Sequence, residues 1–328
     1  MNDVVHARLS MRNRTADPHS TGAERPSALL VVNPTATTTR PELRDLIIAA
    51  LEGTVTLEVR PTQGRGHATE LAADAVAQGR DAVVVLGGDG TANEAIQALA
   101  HSSTALGLVP GGGANVLARS LGLPAEPVAA TSRLLRALRT GGRRRIGLGS
   151  ADERLFAFNA GMGFDAAVVH RVERDRARKQ LLRQVAFVTS ALGEWRAQRD
   201  RPDLLRVVLP DGQERLADIA LVANSSPYTF LGPRPLTAHP GASFDLGLDL
   251  LTVRDATIGR LATVVSGALT GGRHVRLAGV RHDHDLPSLT IEAADGRRAL
   301  PVHVDGDPLP ARRRLTLSSL PDALDVLI

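Results

Sequence analysis

An α/β half followed by a mainly antiparallel β half is the fold class the sequence predicts, and three observations carry it. Short apolar runs alternate singly with helix-like segments up to about residue 145. Beyond that point β-like runs follow one another through turn residues. The chain of 328 residues is also roughly twice a typical domain, long enough for two cores.

The strands of the first half are read at Ala28 to Val32, Thr54 to Val59, Ala82 to Leu86 and Ala105 to Val109. Helical patterns lie between and after them, at about Pro41 to Leu51, His67 to Gln78, Thr91 to Ala100, Ala114 to Leu121 and Val128 to Arg139. Near-continuous apolar strands in strict alternation with helices are the sequence form of a doubly wound parallel sheet covered on both faces. In the second half, Leu205 to Leu209 and Ala217 to Val222 flank Pro210-Asp211-Gly212 and read as a hairpin. Further strands are expected at Leu248 to Val253, Ser288 to Glu292, His303-Val304 and Leu315 to Leu317, with helices at about Asp165 to Arg199 and Ala256 to Leu269. This predicts a sandwich-like antiparallel domain. The expected divisions are a disordered lead-in at 1–26, an α/β domain at 27–145 and a β domain at 146–328, whose last segment is free to return to the first.

Composition removes several classes of function. Without cysteine the chain has neither disulfides nor thiolate metal sites, which suits a cytoplasmic setting. Its apolar runs fall far short of the ~20 residues that span a bilayer. Residues 1–26 have no apolar core of the kind a secretory signal needs. The net charge of +4 reflects a general preference for arginine over lysine, and aromatics make up only 2%. With so few stacking surfaces, no nucleic-acid partner is expected.

The stretch VVVLGGDGT, Val83 to Thr91, runs from a buried strand into glycines around Asp89. In an open parallel sheet ligands bind beyond the carboxyl ends of the strands, and glycines at a helix start let backbone N–H groups meet a phosphate. A carboxylate there can also simply cap a helix. Three neighbours favour an anion site: Asn93 and Glu94 on the first helical turn, the glycine loop Val109 to Asn115, and Asn33-Pro34-Thr35 after the first strand.

These pieces resemble the diacylglycerol kinase catalytic family, in its bacterial soluble lipid kinase branch that includes sphingosine-kinase-like proteins. The matching motifs are Asn33-Pro34, Thr62 with Gly66-His67-Ala68, Gly87 to Glu94, Pro110 with Gly112, Asn115 and Arg119, Asn159 to Ala166, and Val304-Asp305-Gly306-Asp307. They span residues 28 to 320 in the family's order. The resemblance implies an ATP- and Mg²⁺-dependent lipid kinase that phosphorylates a hydroxyl of diacylglycerol or a related lipid, in a cleft between the two domains. It implies ATP contacts from Asn33, Pro34, Thr35, Thr37, Thr62, Gly87, Gly88, Asp89, Gly90, Thr91, Asn93, Glu94, Gly112 and Gly113. Asp89 would hold Mg²⁺ at the phosphates, since that ion takes a few carboxylates plus phosphate oxygens. Asp305 or Asp307 would take the proton of the lipid hydroxyl, and the sequence leaves open which. Asn115, Asn159 and Asp165 would lie on the substrate side.

The chain departs from the family pattern at Thr37, Gly113, Val116 and Asp307, the last replacing a glutamate. The turn where some relatives hold a second metal reads Asp245-Leu246-Gly247, one carboxylate fewer. Two rival readings follow: an NAD-kinase-like or phosphofructokinase-like phosphotransferase, and a catalytically weak lipid- or nucleotide-binding regulator. His67 reads as a structural hydrogen-bonding residue, and Arg119 as a partner of either an acidic neighbour or a phosphate. The basic stretch Arg171 to Arg183 would dock the enzyme transiently on the inner face of a membrane. Lipid identity and a homodimeric state are left open.

Overall fold

The structure is a computed structural model that describes residues 25–36, 40–174 and 205–328. Thr37, the lead-in up to residue 24 and the basic stretch beyond Arg174 lie outside the described residues.

The first half opens with β1 (Ser27–Val32), α1 (Pro41–Glu52), β2 (Thr56–Pro61), α2 (His67–Ala77), β3 (Ala82–Gly87), α3 (Asp89–Leu99) and β4 (Ala105–Pro110). The helices α4 (Val116–Ser120) and α5 (Pro127–Thr140) follow. The strands pair in parallel in the order β2-β1-β3-β4. Successive side chains on a strand point to opposite faces, and the sheet uses both. Leu29, Val31, Val83, Val85 and Leu106 join Leu71, Ile96 and Leu99 in one core cluster. Ala28, Leu30, Val84 and Leu86 join Ile47, Leu51, Leu134 and Leu138 in another. Each fully buried Leu or Val contributes ~1.5–3 kcal/mol, so two-sided burial fixes these strands at the centre of the domain.

The second half contains β5 (Arg143–Ala151), β6 (Arg154–Phe156), β7 (Asn159–Gly163), α6 (Phe164–Arg174), β8 (Leu205–Val208), β9 (Glu214–Ala217), β10 (Ile219–Ala223), β11 (Thr229–Leu231) and β12 (Arg234–Leu236). After these come β13 (Leu248–Val253), α7 (Ile258–Leu269), a 3₁₀ turn (Arg273–Arg276), β14 (Val280–Leu286), β15 (Ser288–Ala293), β16 (Leu300–Val304), β17 (Asp307–Arg312) and β18 (Arg314–Leu327). One antiparallel sheet runs β14-β13-β10-β7-β16-β17. It packs Met162, Val222, Leu250 and Val302 against Val207, Ile291, Leu315 and Leu317 of β8, β15 and β18, so the domain is two-layered.

β18 joins the two halves. Its first part pairs antiparallel with β15, its length pairs with β5, and Val326 near its end lies parallel to Leu106 of β4. The register slips between Leu320 and Leu324, where the strand passes from one half to the other. One ten-stranded sheet therefore runs through both halves.

Two local expectations are corrected. The hairpin after β8 closes on Glu214–Ala217, while Ile219–Ala223 crosses to the other sheet between β7 and β13. The apolar run spanning both was read as one strand, but its charged leading edge is the hairpin partner. Helix α3 starts at Asp89, two residues before the expected Thr91, and Gly88 is its N-cap with φ −98° and ψ −175°. Gly87, Gly88 and Gly90 all avoid positive φ. Close packing is their reason: a Cβ on Gly112 would lie 2.7 Å from Gly88 Cα, so the two glycine loops touch backbone to backbone.

Candidate active site

Asp89 stands at the first turn of α3 and aims at the next helix. Its Oδ2 accepts the Val116 N–H (3.0 Å) and its Oδ1 the Leu117 N–H (3.1 Å), groups left without partners at the start of α4. Asn115, at φ 46°, turns the chain there and clasps its own loop, accepting the Gly112 N–H at 3.0 Å and donating Nδ2 to the Gly112 carbonyl at 2.8 Å. Burial raises the Asp89 pKa above the usual carboxylate range, the Val116 and Leu117 N–H groups pull it back, and repulsion from Asp307 adds to the rise.

The β16–β17 turn brings in two further carboxylates with different surroundings. Asp305 Oδ2 accepts the Ala157 N–H (2.7 Å) and Asn93 Nδ2 (2.8 Å), and its Oδ1 accepts the Phe158 and Asn159 N–H groups (2.9 and 3.0 Å). Burial pushes its pKa up to about 6 against these donors, so it is ionised at neutral pH. Asp307 receives no hydrogen bond among the described residues. Both of its carboxylate oxygens lie 3.7 Å from where a Cβ on Gly90 would stand, which puts the carboxylate against the start of α3.

Two arginines that the sequence reading passed over face this acidic group. Arg154, on β6, donates Nη2 to Asn93 Oδ1 (2.5 Å), leaves its Nε without a partner, and is attracted by Asp307, Glu94 and Asp305. Arg65 reaches the Pro308 carbonyl (3.4 Å). Arg65 lies in a turn and Arg154 opens β6 just after one, positions that read as ordinary polar surface, and only the fold brings them to the cleft.

The remaining expected site residues divide between the cleft and its supports. Asn33 donates Nδ2 to Thr91 Oγ1 (3.0 Å) and accepts from the Thr35 backbone and hydroxyl (3.0 and 2.8 Å), tying the first loop, with Pro34 in it, to α3. Thr62 follows β2 and bonds through its N–H to the Val32 carbonyl (2.8 Å). Gly113 lies in the loop that Asn115 clasps. Asn93 is 1% exposed, and besides Asp305 and Arg154 it donates to the Leu155 carbonyl (3.0 Å). Glu94 accepts the Ala68 N–H at the start of α2 (3.2 Å). Asn93 thus ties α3 to β6 and the β16–β17 turn, and Glu94 ties α3 to α2, where the sequence reading placed both facing the mouth. His67 Nδ1 accepts the Gln63 N–H (3.0 Å), a structural bond.

Beside Asp89 a pocket of about 230 Å³ opens. Asp89, Asn159, His303, Asp305 and Gly306 make its polar side, and Val116, Phe158, Val169, Phe230 and Leu231 its apolar walls. Asn159 Nδ2 donates to the Tyr228 carbonyl (2.9 Å). Asp165 sits behind the wall, bonded to His303 Nε2 (2.6 Å) and to the Tyr228 hydroxyl (2.7 Å). Gly161 makes that pair possible, since a Cβ there would lie 2.3 Å from Asp165 Oδ2. Burial, then the Asp165 charge, raises the Tyr228 pKa well above its usual value, keeping the phenol a donor. Arg119 is attracted by the acidic neighbour Asp89. Its guanidinium lies 3.4 Å from the Phe230 ring centroid and bonds the Gly232 and Pro233 carbonyls, pinning the β11–β12 hairpin that walls the pocket.

Comparison with known proteins agrees with this layout. Residues 27–151 match the diacylglycerol kinase catalytic domain, and residues 159–328 match the YegS C-terminal NAD kinase beta sandwich-like domain. A protein of Pseudomonas aeruginosa named "Probable lipid kinase YegS-like" is 32% identical over 293 residues, covering 87% of this chain and 89% of that one. A protein of Mycobacterium tuberculosis named "Diacylglycerol kinase" is 31% identical over 277 residues, covering 80% and 82%. Among solved structures, a diacylglycerol kinase of Bacillus anthracis superposes with a TM-score of 0.65 at 18% identity, covering 92% of this chain and 96% of that one.

Proposed function

Because the chain belongs to the diacylglycerol kinase catalytic family, a family of lipid kinases, we propose that it transfers the γ-phosphate of ATP to a hydroxyl of diacylglycerol or a related lipid. The observation that carries this reading is the pocket beside Asp89, whose polar end meets the carboxylates and whose walls are apolar. A small polar acceptor such as a nucleotide ribose or a sugar phosphate gains nothing from Phe158, Val169, Phe230 and Leu231, whereas acyl chains bury against them. On this reading residues 27–145 serve ATP and residues 146–328 serve the lipid.

The three carboxylates take separate parts. Asp305, with four donors on its two oxygens, is a positioning residue that locks the β16–β17 turn to β7 and α3. Asp89 lines the pocket, and burial raises its pKa, which suits a proton acceptor. It takes the hydroxyl proton as the lipid oxygen bonds to phosphorus and the bond to ADP breaks. Asp307 has no donor on either oxygen and repels Asp89, an arrangement that fits a divalent cation. Mg²⁺ held there by Asp307 would supply charge neutralisation at the β- and γ-phosphates. This exchanges the parts that the sequence reading gave to Asp89 and to the 305–307 pair. Arg65 and Arg154 add positive charge where phosphate oxygens gather. The glycine loops at Gly87–Gly90 and Gly112–Gly113 keep side chains clear of the approaching phosphates.

The lipid is reached at the inner face of a membrane. Among the described residues no helix is long and apolar enough to cross one. Ile258, Ala262, Val265 and Leu269 instead form one exposed apolar stripe on α7. That helix is bonded to the end of the pocket hairpin, from the Thr237 N–H to the Ala268 carbonyl (2.9 Å). Exposed Arg273 and Arg276 follow it, suited to anionic headgroups. The test is radiolabelled phosphate transfer from ATP to diacylglycerol, a sphingoid base and a polyprenol in mixed micelles, with NAD and fructose phosphate as competitors. Transfer to a lipid upholds the reading, while transfer to NAD or sugar phosphate, or ATP binding without transfer, overturns it.

A further inference from the structure

A second cluster of ligand-type side chains lies away from the carboxylates of the cleft, between β12 and the β13–β14 pair. His239, in the segment after β12, is 1% exposed, and neither of its ring nitrogens has a hydrogen-bond partner among the described residues. Asp249 on β13 is 0% exposed and its Oδ2 is likewise unpartnered. That oxygen faces His282 Nε2 of β14 at 3.1 Å, and the His282 nitrogen makes no hydrogen bond. One ligand atom from each of the three residues lies within 4.8 Å of the others. The His239 and His282 rings stand 5.7 Å apart at 43°, tilted rather than stacked.

Buried polar atoms are normally satisfied in a folded protein, whereas both His239 ring nitrogens, Asp249 Oδ2 and His282 Nε2 lack hydrogen-bond partners among the described residues. Two imidazoles and one carboxylate are the donor set of borderline divalent metals, in contrast to the all-oxygen sets of Mg²⁺ and Ca²⁺. A supporting shell is present as well. His284 Nδ1 bonds the other oxygen of Asp249 (2.6 Å), and His274 Nε2 bonds the Ala238 carbonyl next to His239 (2.8 Å). The nearby turn Asp245-Leu246-Gly247 contributes no ligand: Asp245 pairs with Arg144 at 2.7 Å, and the Gly247 N–H donates to Asp285 (2.6 Å).

We propose that His239, Asp249 and His282 bind a divalent transition-metal ion of the Zn²⁺ class, which fastens the segment after the pocket hairpin to β13 and β14. Purified full-length chain without a histidine tag is stripped with chelator and titrated with Co²⁺, and Zn²⁺ is then added in competition. The expected result is about one Co²⁺ per chain with the intense visible absorption of a low-coordinate nitrogen and oxygen site, displaced by Zn²⁺, and a melting temperature that rises with metal. His282→Gln should abolish the absorption, and His284→Ala should weaken affinity roughly 10–100-fold, as loss of a supporting partner does. His239→Ala is a third variant, and the Co²⁺ spectrum of the unmodified protein decides the matter should that variant fail to fold. A weak spectrum like that of aqueous Co²⁺, or stoichiometric binding that His282→Gln leaves intact, would overturn the proposal.

Discussion

The turn that opens α3 and the turn between β16 and β17 each carry a carboxylate held by backbone N–H groups, yet they are built oppositely. Asp89 takes its two N–H groups from Val116 and Leu117, at the end of the adjacent strand-loop unit of the same sheet. Asp305 takes its three from Ala157, Phe158 and Asn159, nearly 150 residues earlier in the chain. The first is half-buried and lines the pocket with capacity to spare, whereas the second is buried and fully used. Asp307, only two residues on, meets no hydrogen-bond donor among the described residues. Carboxylates that look alike in sequence thus separate into two with free acceptor capacity and one fully hydrogen-bonded pin, according to which backbone groups reach them.

Removing the charge on each should break that comparison open. With Asp89→Asn, lipid phosphorylation is expected to fall by ~10²–10⁴-fold, the usual span for a lost proton acceptor. Asp307→Asn should lower activity comparably while leaving the melting temperature unchanged, because no hydrogen bond is lost. It should also raise the Mg²⁺ concentration needed for half-maximal rate. If Mg²⁺ dependence shifts in Asp89→Asn and stays put in Asp307→Asn, the two parts are exchanged.

Asp305→Asn should act on folding instead. An amide in place of the carboxylate sets an N–H₂ group against donors, and loss of such a buried set costs about 2–4 kcal/mol. Residual activity per folded molecule should stay within about tenfold of the parent protein. The pH dependence has a definite sign. Its folded pKa near 6 lies above the ordinary 3.8, so the folded state holds the extra proton between those values. Stability from this group is complete below about pH 4 and is lost as pH rises through about 6, a change on the order of 3 kcal/mol. Urea melts from pH 4 to 7 should show that slope in the parent and not in Asp305→Asn.

The same contrast explains what was legible beforehand. The parallel half could be read almost element by element, because two-sided burial makes each strand a continuous apolar run and each loop falls at a strand end. The glycine loops fell at strand ends for the same local reason. The second half resisted because its strands pair across long separations: β7 lies beside β16, and β18 runs through both halves. Hence the hairpin partner of β8 was misplaced and Arg154 was passed over. The splitting of Asp305 from Asp307 depends on a register that no local pattern encodes. His239, Asp249 and His282 come from three separate segments and carry no spacing signature.

Smaller effects should come from the pocket wall. Phe230→Ala removes an aromatic face from the apolar side and the platform under Arg119, so KM for lipid should rise roughly 10-fold or more while kcat falls little. Arg119→Ala leaves the wall in place and removes only its clamp, a cation–π contact of ~0.5–2 kcal/mol, so a KM change of several-fold is expected. Equal losses in kcat for either variant would mean that the hairpin shapes the reacting centre and does more than wall the lipid.

The smallest effect tests how the enzyme meets its substrate. Val265 is exposed in the middle of the α7 stripe and distant in sequence from every carboxylate of the cleft. Val265→Asp puts a charge among Ile258, Ala262 and Leu269 and removes ~1.5 kcal/mol of apolar burial at a bilayer. Sedimentation with vesicles containing anionic lipid should fall by about 10-fold. Activity on a short-chain lipid dispersed without vesicles should not change, because the pocket itself is untouched. A variant that loses both would tie α7 to the pocket hairpin through the Thr237–Ala268 bond rather than to the membrane. One that loses neither would leave the stripe without a part in finding the lipid.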